Sequence, residues 1–98
     1  MANEAVGFVE AQGFVPIFDA VDAMVKATDV AVRGVMRLGG GLVAVALTGD
    51  LATMEEAVEI GTETARAISN DTVKSIIFAS PSHPVSAIAN RPGIVDGS

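Results

Sequence analysis

Apolar residues recur along this chain with two spacings: every second position, as in strands, and every third or fourth position, as in helices. The switches between these spacings predict the secondary structure. A strand is predicted over 4–12, and Gly13 ends it. A helix is predicted over 14–29, where apolar residues recur every three or four positions and Pro16 suits a first helical turn. These apolar residues form one stripe along the helix: Phe14, Ile17, Phe18, Val21, Met24 and Val25.

The middle of the chain predicts two strands joined by glycines. Residues 30–38 alternate, which is typical of a half-buried strand, and 42–49 are apolar on both faces, as in a central strand. Strands joined by so short a link are expected to be antiparallel neighbours. Strict alternation divides the first strand into two sides: Val30, Val32, Met36 and Leu38 on one, and Ala31, Arg33, Val35 and Arg37 on the other.

The last third predicts a helix, a strand and a short appendix. Residues 50–69 carry an apolar stripe at helical spacing, and both Asp50 and Thr53 are candidates for the N-cap, Thr53 as a capping box with Glu56. A strand is predicted over 72–80, and a short helix over 85–89.

The predicted order is β-α-β-β-α-β, which indicates an α+β fold of ferredoxin-like form. We expect a four-stranded antiparallel sheet with both helices on one face. At this length, 1–90 are expected to form a single domain, with the Pro- and Gly-rich residues 91–98 as a flexible tail.

Charge and composition exclude several classes of function. The net charge is -6, the pI is about 4.4 and the six basic residues are scattered, so nucleic acid is not an expected partner. No apolar run is long enough to span a membrane, and no secretory signal is recognisable at the N-terminus. The absence of cysteine excludes disulfides, thiolate metal sites and a thiol nucleophile.

The polar residues offer little from which to build a catalytic site. His83 is the only histidine, and without a second His or Cys it predicts neither a metal site nor a catalytic pair. Four acidic residues of the second predicted helix are interpreted as a solvated face: Glu55, Glu56, Glu59 and Glu63. We therefore expect no catalytic residue, no cofactor and no metal, and hence a protein that is not an enzyme.

Apolar content is high for so short a chain. Half of the residues are hydrophobic and the mean hydropathy is +0.50, whereas a domain of this size buries only a modest fraction of its surface. Apolar patches left on the surface predict self-association. The alternative is that the excess is mostly Ala and Val, which tolerate exposure.

Three consecutive glycines, Gly39, Gly40 and Gly41, interrupt the most strand-like part of the sequence. A phosphate-binding loop would lead into a helix, usually with Lys and Ser or Thr following, whereas a strand follows this one. Either the glycines form a plain turn, or they expose backbone for something to touch.

The motifs G-F-V-E-A-Q-G, D-A-M-V-K-A, G-G-G-L-V and T-G-D occur in the order seen in one known family. With them the chain resembles, from about Glu4 to Ile88, the bacterial microcompartment shell proteins of the single-domain, hexamer-forming class, the BMC domain. The resemblance implies a homohexameric tile that assembles with other shell proteins into a polyhedral shell around enzymes in the bacterial cytoplasm. It implies a structural protein without a cofactor.

The resemblance also implies two kinds of site. Gly39, Gly40 and Gly41, with Arg37 and Leu38, would line a central pore for small metabolites. Arg33 is expected on the same strand face as Arg37, with Arg37 nearer the axis of the hexamer. Copies of Arg37 around the pore would then form a positive rim that favours small polar or anionic solutes. The alternative is that Arg37 pairs with an acid.

The second kind of site is the edge between hexamers. The resemblance places Lys26 there, and the edge is expected to include Lys26, Asp29, Pro81, Ser82 and His83. The family usually carries Pro-Arg-Pro-His after the last strand, whereas this chain has Ser80-Pro81-Ser82-His83 and lacks the arginine. The alternative for Lys26 is an ordinary surface lysine paired with Asp22, four residues earlier.

A different function shares the same element order. A ferredoxin-like regulatory domain would bind a small molecule between the subunits of a dimer or trimer. A stable hexamer in the absence of ligand would distinguish the shell protein from this alternative.

Overall fold

The structure is a computed structural model that describes residues 4–69 and 72–80. Its elements are β1 (Glu4–Gln12), α1 (Phe14–Ala27), β2 (Ala31–Gly39), β3 (Leu42–Asp50), α2 (Leu51–Ile68) and β4 (Lys74–Ser80). This order confirms the predicted β-α-β-β-α-β. The helix predicted at 85–89 and the tail predicted at 91–98 lie outside the described residues.

The four strands form one antiparallel sheet in the order β2-β3-β1-β4. β1 lies between β3 and β4: Val9 is opposite Val45 of β3 on one side and Ser75 of β4 on the other. β2 and β4 are the edges. The sheet and its two helices confirm the predicted α+β fold.

One face of the sheet carries the hydrophobic core. Alternate residues of the two central strands are buried there, because successive side chains of a strand point to opposite faces. Both helices pack against β1 and β3 and against each other. The core consists mainly of Ala5, Val9 and Ala11 of β1, Val43, Val45 and Leu47 of β3, Ile17, Ala20 and Met24 of α1, and Met54, Ala57, Val58 and Ala65 of α2.

Glycine allows the two helices to approach each other closely. A Cβ atom at Gly61 of α2 would lie 2.6 Å from Sδ of Met24 in α1, which is closer than real Cβ atoms come. The thioether of Met24 therefore occupies the space that a side chain at Gly61 would need. The same relation joins Gly7 of β1 to Met54 of α2.

Both helices end within two residues of their predicted limits. α1 ends at Ala27 because the Thr28 hydroxyl donates to the Met24 carbonyl at 2.8 Å and accepts from the Val30 amide at 3.2 Å, which turns the chain into β2. At the start of α2, the Asp50 carboxylate accepts from the Thr53 amide at 2.8 Å. Of the two candidate N-caps, the structure uses Asp50, and this hydrogen bond lowers the pKa of the Asp50 carboxyl.

The strict alternation predicted along β2 is wrong. The pairing of β2 with β3 shifts between Val32 and Gly34 and again between Arg37 and Gly39, so the strand holds two extra residues, Arg33 and Leu38. After each bulge, the side chains of β2 lie on the opposite face from the one that strict alternation with the residues before that bulge predicts. Val32, Val35 and Arg37 therefore lie opposite the core residues Leu47, Val45 and Val43, whereas Met36 lies opposite Ala44 on the other face.

Candidate functional site

The three glycines form a tight β-hairpin turn. Gly39 pairs with Leu42, which leaves Gly40 and Gly41 as a two-residue loop. Their φ angles are 63° and 85°, and that of Gly39 is 96°. Positive φ at both loop positions matches a type I′ turn, which glycine adopts without steric cost. At Gly39 and Gly40 no atom of the described residues lies within 4 Å of where a Cβ atom would be, so among these residues the backbone conformation and not crowding requires glycine there.

The turn is bound to the junction between β1 and α1. The Gly13 amide donates to the Gly41 carbonyl at 2.8 Å, and Nε2 of Gln12 donates to the Gly40 carbonyl at 2.7 Å. Both loop carbonyls therefore accept a hydrogen bond from the β1–α1 junction. Within residues 4–69 and 72–80, the amides of Gly40 and Gly41 donate to no other group.

Arg37 lies next to the turn on the helix side of the sheet. Its guanidinium carbon is 5.5 Å from the ring centroid of Phe14, which is a cation–π distance, and Phe14 in turn stacks on Phe18. In the described part of the chain no carboxylate pairs with Arg37. The alternative that Arg37 is neutralised by an acid is therefore not supported within these residues.

An open cavity of about 450 Å³ joins these groups. It is lined by the glycine turn together with Gly13, Phe14, Arg37 and Leu42. The structure thus brings together Arg37 and the three glycines that the sequence predicted. Leu38 lies at the second bulge of β2, with about half of its side chain exposed.

Arg33 does not accompany Arg37. Its Nε donates to the hydroxyl of Thr48 at 2.8 Å, and Thr48 alternates with the core residue Leu47, so it points away from the helices. The expectation that Arg33 and Arg37 share one strand face is wrong, because the bulge at Arg33 shifts the register between them.

The predicted edge site is exposed at the end of α1. Nζ of Lys26 lies 3.0 Å from Oδ2 of Asp22, and the two side chains are 74% and 63% exposed. Lys26 and Asp29 line a polar cavity of about 300 Å³ with Thr53 and Glu56 of α2. The structure thus brings together two of the predicted edge residues, whereas Pro81, Ser82 and His83 lie outside the described residues.

The sheet face opposite the helices carries exposed apolar side chains. The rings of Phe8 and Phe78 meet edge-on with centroids 6.3 Å apart, and Ile76 lies beside Phe8 on the neighbouring strand. Ile76 and Phe78 are each about half exposed. Further large hydrophobic side chains are also exposed: Phe14, Val15, Phe18, Val25, Val32, Met36, Leu38 and Ile68.

The acidic residues of α2 form no site of their own. Glu55, Glu56, Glu59 and Glu63 are all exposed, as a solvated helix face requires. In 4–69 and 72–80, no group of three or more His, Cys, Asp or Glu residues is arranged to hold a metal ion. None of the described helices is long and apolar enough to cross a membrane.

Sequence reasoning missed Gln12 as part of the turn. Its contact with Gly40 joins residues 28 positions apart, and local spacing carries no information on such a contact. The only available signal was its position as a polar residue at the end of a strand, directly before a glycine.

Comparison with known proteins gives a family match over most of the chain. The BMC domain matches residues 5–81. The carboxysome shell protein CcmK4 of Synechococcus elongatus is 35% identical over 89 residues, which cover 90% of this chain and 79% of that protein. The bacterial microcompartment shell protein EutM of Salmonella typhimurium is 42% identical over 65 residues, covering 66% of this chain and 68% of EutM.

A solved structure shows the same fold. The crystal structure of a microcompartment protein from Desulfitobacterium hafniense matches with a TM-score of 0.69 and 28% identity. The match covers 88% of this chain but only 48% of that one, so this chain spans about half the length of the solved protein. Together with the α+β fold and the glycine turn, these matches show that the chain belongs to the BMC domain family of bacterial microcompartment shell proteins.

Proposed function

We propose that the chain is a structural tile that forms homohexamers, with the triple-glycine turns surrounding a central pore. The observation that carries this proposal is the turn itself. It projects no side chain, it is preformed within one chain, and its free polar groups are backbone amides. Copies of such a turn can converge on an axis and leave an opening, whereas bulky side chains would close it.

Exposed apolar surface supports the association of several copies. Phe78 and Ile76 on the open sheet face, and Phe14 and Phe18 on α1, lose contact with water only if something covers them. Among the residues that the structure describes, the edge strands β2 and β4 also keep backbone groups that lack a neighbouring strand. A homo-oligomer covers both kinds of surface.

The electrostatics of the turn favour small polar or anionic metabolites in the pore. The carbonyls of Gly40 and Gly41 are bonded back into the chain, and their amides remain available as donors. Arg37 adds a positive charge with no acidic partner among the described residues. Clefts lined by one sign of charge raise the local concentration of counter-ions, and salt screens this effect.

Lateral assembly of hexamers is the second part of the proposal. Lys26 and Asp29 are exposed at one end of α1, where a neighbouring tile can reach them, and Pro81, Ser82 and His83 would complete this edge. We expect the edge to hold less firmly than that of a tile with an arginine after its last strand. The partners are further copies of the chain, other shell proteins and the enclosed enzymes, in the shell within the bacterial cytoplasm.

The mass of the ligand-free protein tests the proposal. Light scattering at micromolar concentration is expected to give the mass of six subunits without added metabolite. A monomer or a dimer would contradict the tile. A dimer or trimer that holds a metabolite between its subunits would favour the regulatory domain instead.

A further inference from the structure

We infer that Gln12 determines which polar groups the glycine turn presents, because its side chain holds the Gly40–Gly41 peptide in one of two available orientations. The inference concerns a positioning residue, and its consequence for solutes in the pore rests on the proposed function. The geometry of the turn within a single chain carries the argument.

The Gly40–Gly41 peptide is the part of the turn that is free to rotate. Types I′ and II′ both join antiparallel strands through two residues, and they differ mainly by a half-rotation of the peptide between those residues. Type I′ requires positive φ at both positions and type II′ at the first only. With glycine at both positions, neither form meets a steric penalty. Local sequence alone therefore leaves both orientations accessible.

The two orientations expose opposite ends of the peptide dipole to solvent. In the observed form the Gly40 carbonyl faces Gln12, and the Gly41 amide of the same peptide points away and bonds to no described group. Rotation would turn the carbonyl outward and the amide inward. Any ring of such turns would then present acceptors in place of donors.

Gln12 distinguishes between these orientations. Its Nε2 is 2.7 Å from the Gly40 oxygen, and only an amide nitrogen can face that acceptor in a hydrogen bond. The rotated peptide would present its own N–H instead, so the Gln12 amide group would have to turn over before its oxygen could accept from that N–H. A carbonyl that accepts a hydrogen bond also polarises its peptide, which makes the Gly41 amide a stronger donor.

The Gly13 amide does not fulfil the same role. It donates to the Gly41 carbonyl, which belongs to the next peptide along the chain. That bond anchors the end of the turn and leaves the Gly40–Gly41 peptide free. Gly41 also makes room for Gln12, since a Cβ atom at position 41 would collide with Nε2 of Gln12.

Nuclear magnetic resonance of the full chain tests the inference. In the observed turn the Gly41 amide proton lies beside the Gly40 amide proton, whereas in the rotated form it lies beside the Gly40 α protons. The ratio of these two nuclear Overhauser effects therefore reports the orientation. Loss of one neutral hydrogen bond is expected to change the ratio of the two forms about two- to twelvefold.

Three variants at position 12 distinguish the effect of the hydrogen-bonding group from the effect of side-chain packing. Gln12→Leu removes the donor and is expected to raise the rotated form. Gln12→Glu replaces the donor by an acceptor and is expected to raise it further, because a carboxylate attracts the Gly41 amide and repels the Gly40 carbonyl. Gln12→Lys keeps a hydrogen-bond donor at position 12 and is therefore expected to keep the turn in the observed form. Thr72→Leu, at an exposed position outside the strands, controls for a surface leucine.

The outcome is distinguishable from a failure of the proposed function. An unchanged ratio in Gln12→Leu and Gln12→Glu would overturn the inference, whatever the mass of the protein. If Gln12→Leu and Gln12→Lys raised the population of the rotated form equally, the inference would also be overturned, because the loss of packing alone would then explain the effect. A wild-type monomer would contradict the hexamer and leave the ratio in these variants to decide the role of Gln12.

Discussion

The glycine turn and the Lys26 edge are the two candidate sites, and the chain builds them in different ways. Long-range hydrogen bonds from Gln12 and Gly13 hold the backbone of the turn. The edge rests on exposed side chains, and an ion pair joins Lys26 to Asp22 within a single helix. The turn is therefore preformed in one chain, whereas the proposed edge would acquire a defined geometry only against a neighbour.

The difference implies that the two sites respond to mutation differently. Changes in the turn are expected to alter stability and selectivity together, because its conformation is part of the fold. Changes at the edge are expected to spare the fold, since exposed ion pairs contribute only about 0–1 kcal/mol.

Gly41→Val gives the largest expected effect. A β-branched residue at a φ of 85° is strained, and its Cβ atom would displace Gln12, so a loss of about 2–3 kcal/mol is expected. Urea unfolding at one fixed protein concentration measures it. Gly34→Ala is the control, because Gly34 lacks a positive φ and no described residue lies within 4 Å of its Cβ position. Equal losses in the two variants would contradict a strained turn.

Arg37→Glu tests the charge beside the turn. Reversing this charge is expected to slow an anionic substrate about tenfold while a neutral substrate of similar size is hardly affected. Flux into intact shells measures both. Arg33→Glu is the matched control, since it makes the same change of charge at a residue that bonds to Thr48 on the other face. Equal slowing of the two substrates by Arg37→Glu would leave the charge argument without support.

Gly40→Asn tests the opening itself. Leucine at this position would be strained by the φ of 63°, whereas asparagine tolerates left-handed backbone. The variant is expected to keep the hexamer, to cost about 1 kcal/mol or less, and to slow large solutes more than small ones. Flux of a size series through assembled shells measures this. Equal flux of all sizes would argue against Gly40 as a residue that lines the opening.

Lys26→Ala gives the smallest expected effect on stability, within about 0.5 kcal/mol, because its only described partner is exposed Asp22. Electron micrographs are nevertheless expected to show fewer sheets or shells, with hexamers intact by light scattering. Arg66→Ala removes an exposed positive charge from the last turn of α2 and serves as control. Dissociation of the hexamer by Lys26→Ala would contradict an edge role.

Periodicity was sufficient to predict the element order, because the strands and helices of the core differ clearly in spacing. It failed at β2, where small and apolar residues occupy both faces and the charged residue Arg33 is itself the bulge, so its polarity did not report the face on which it lies. The glycine run indicated an unusual backbone, and the positive φ angles agree with it. The contacts of Arg37 with Phe14 and of Gln12 with Gly40 depend on tertiary structure, which local pattern does not encode.

The close approach of Met24 to Gly61 has a consequence for how this sequence can diverge. A residue larger than glycine at position 61 needs the buried Met24 side chain to move aside or to be replaced by a smaller one, so the two positions are expected to change together. Gly7 with Met54 forms a second such pair. Each pair couples sites distant in sequence, so either single change is harmful where the double change is tolerated. Sequence drift in this chain is therefore expected to proceed by compensated pairs at these positions.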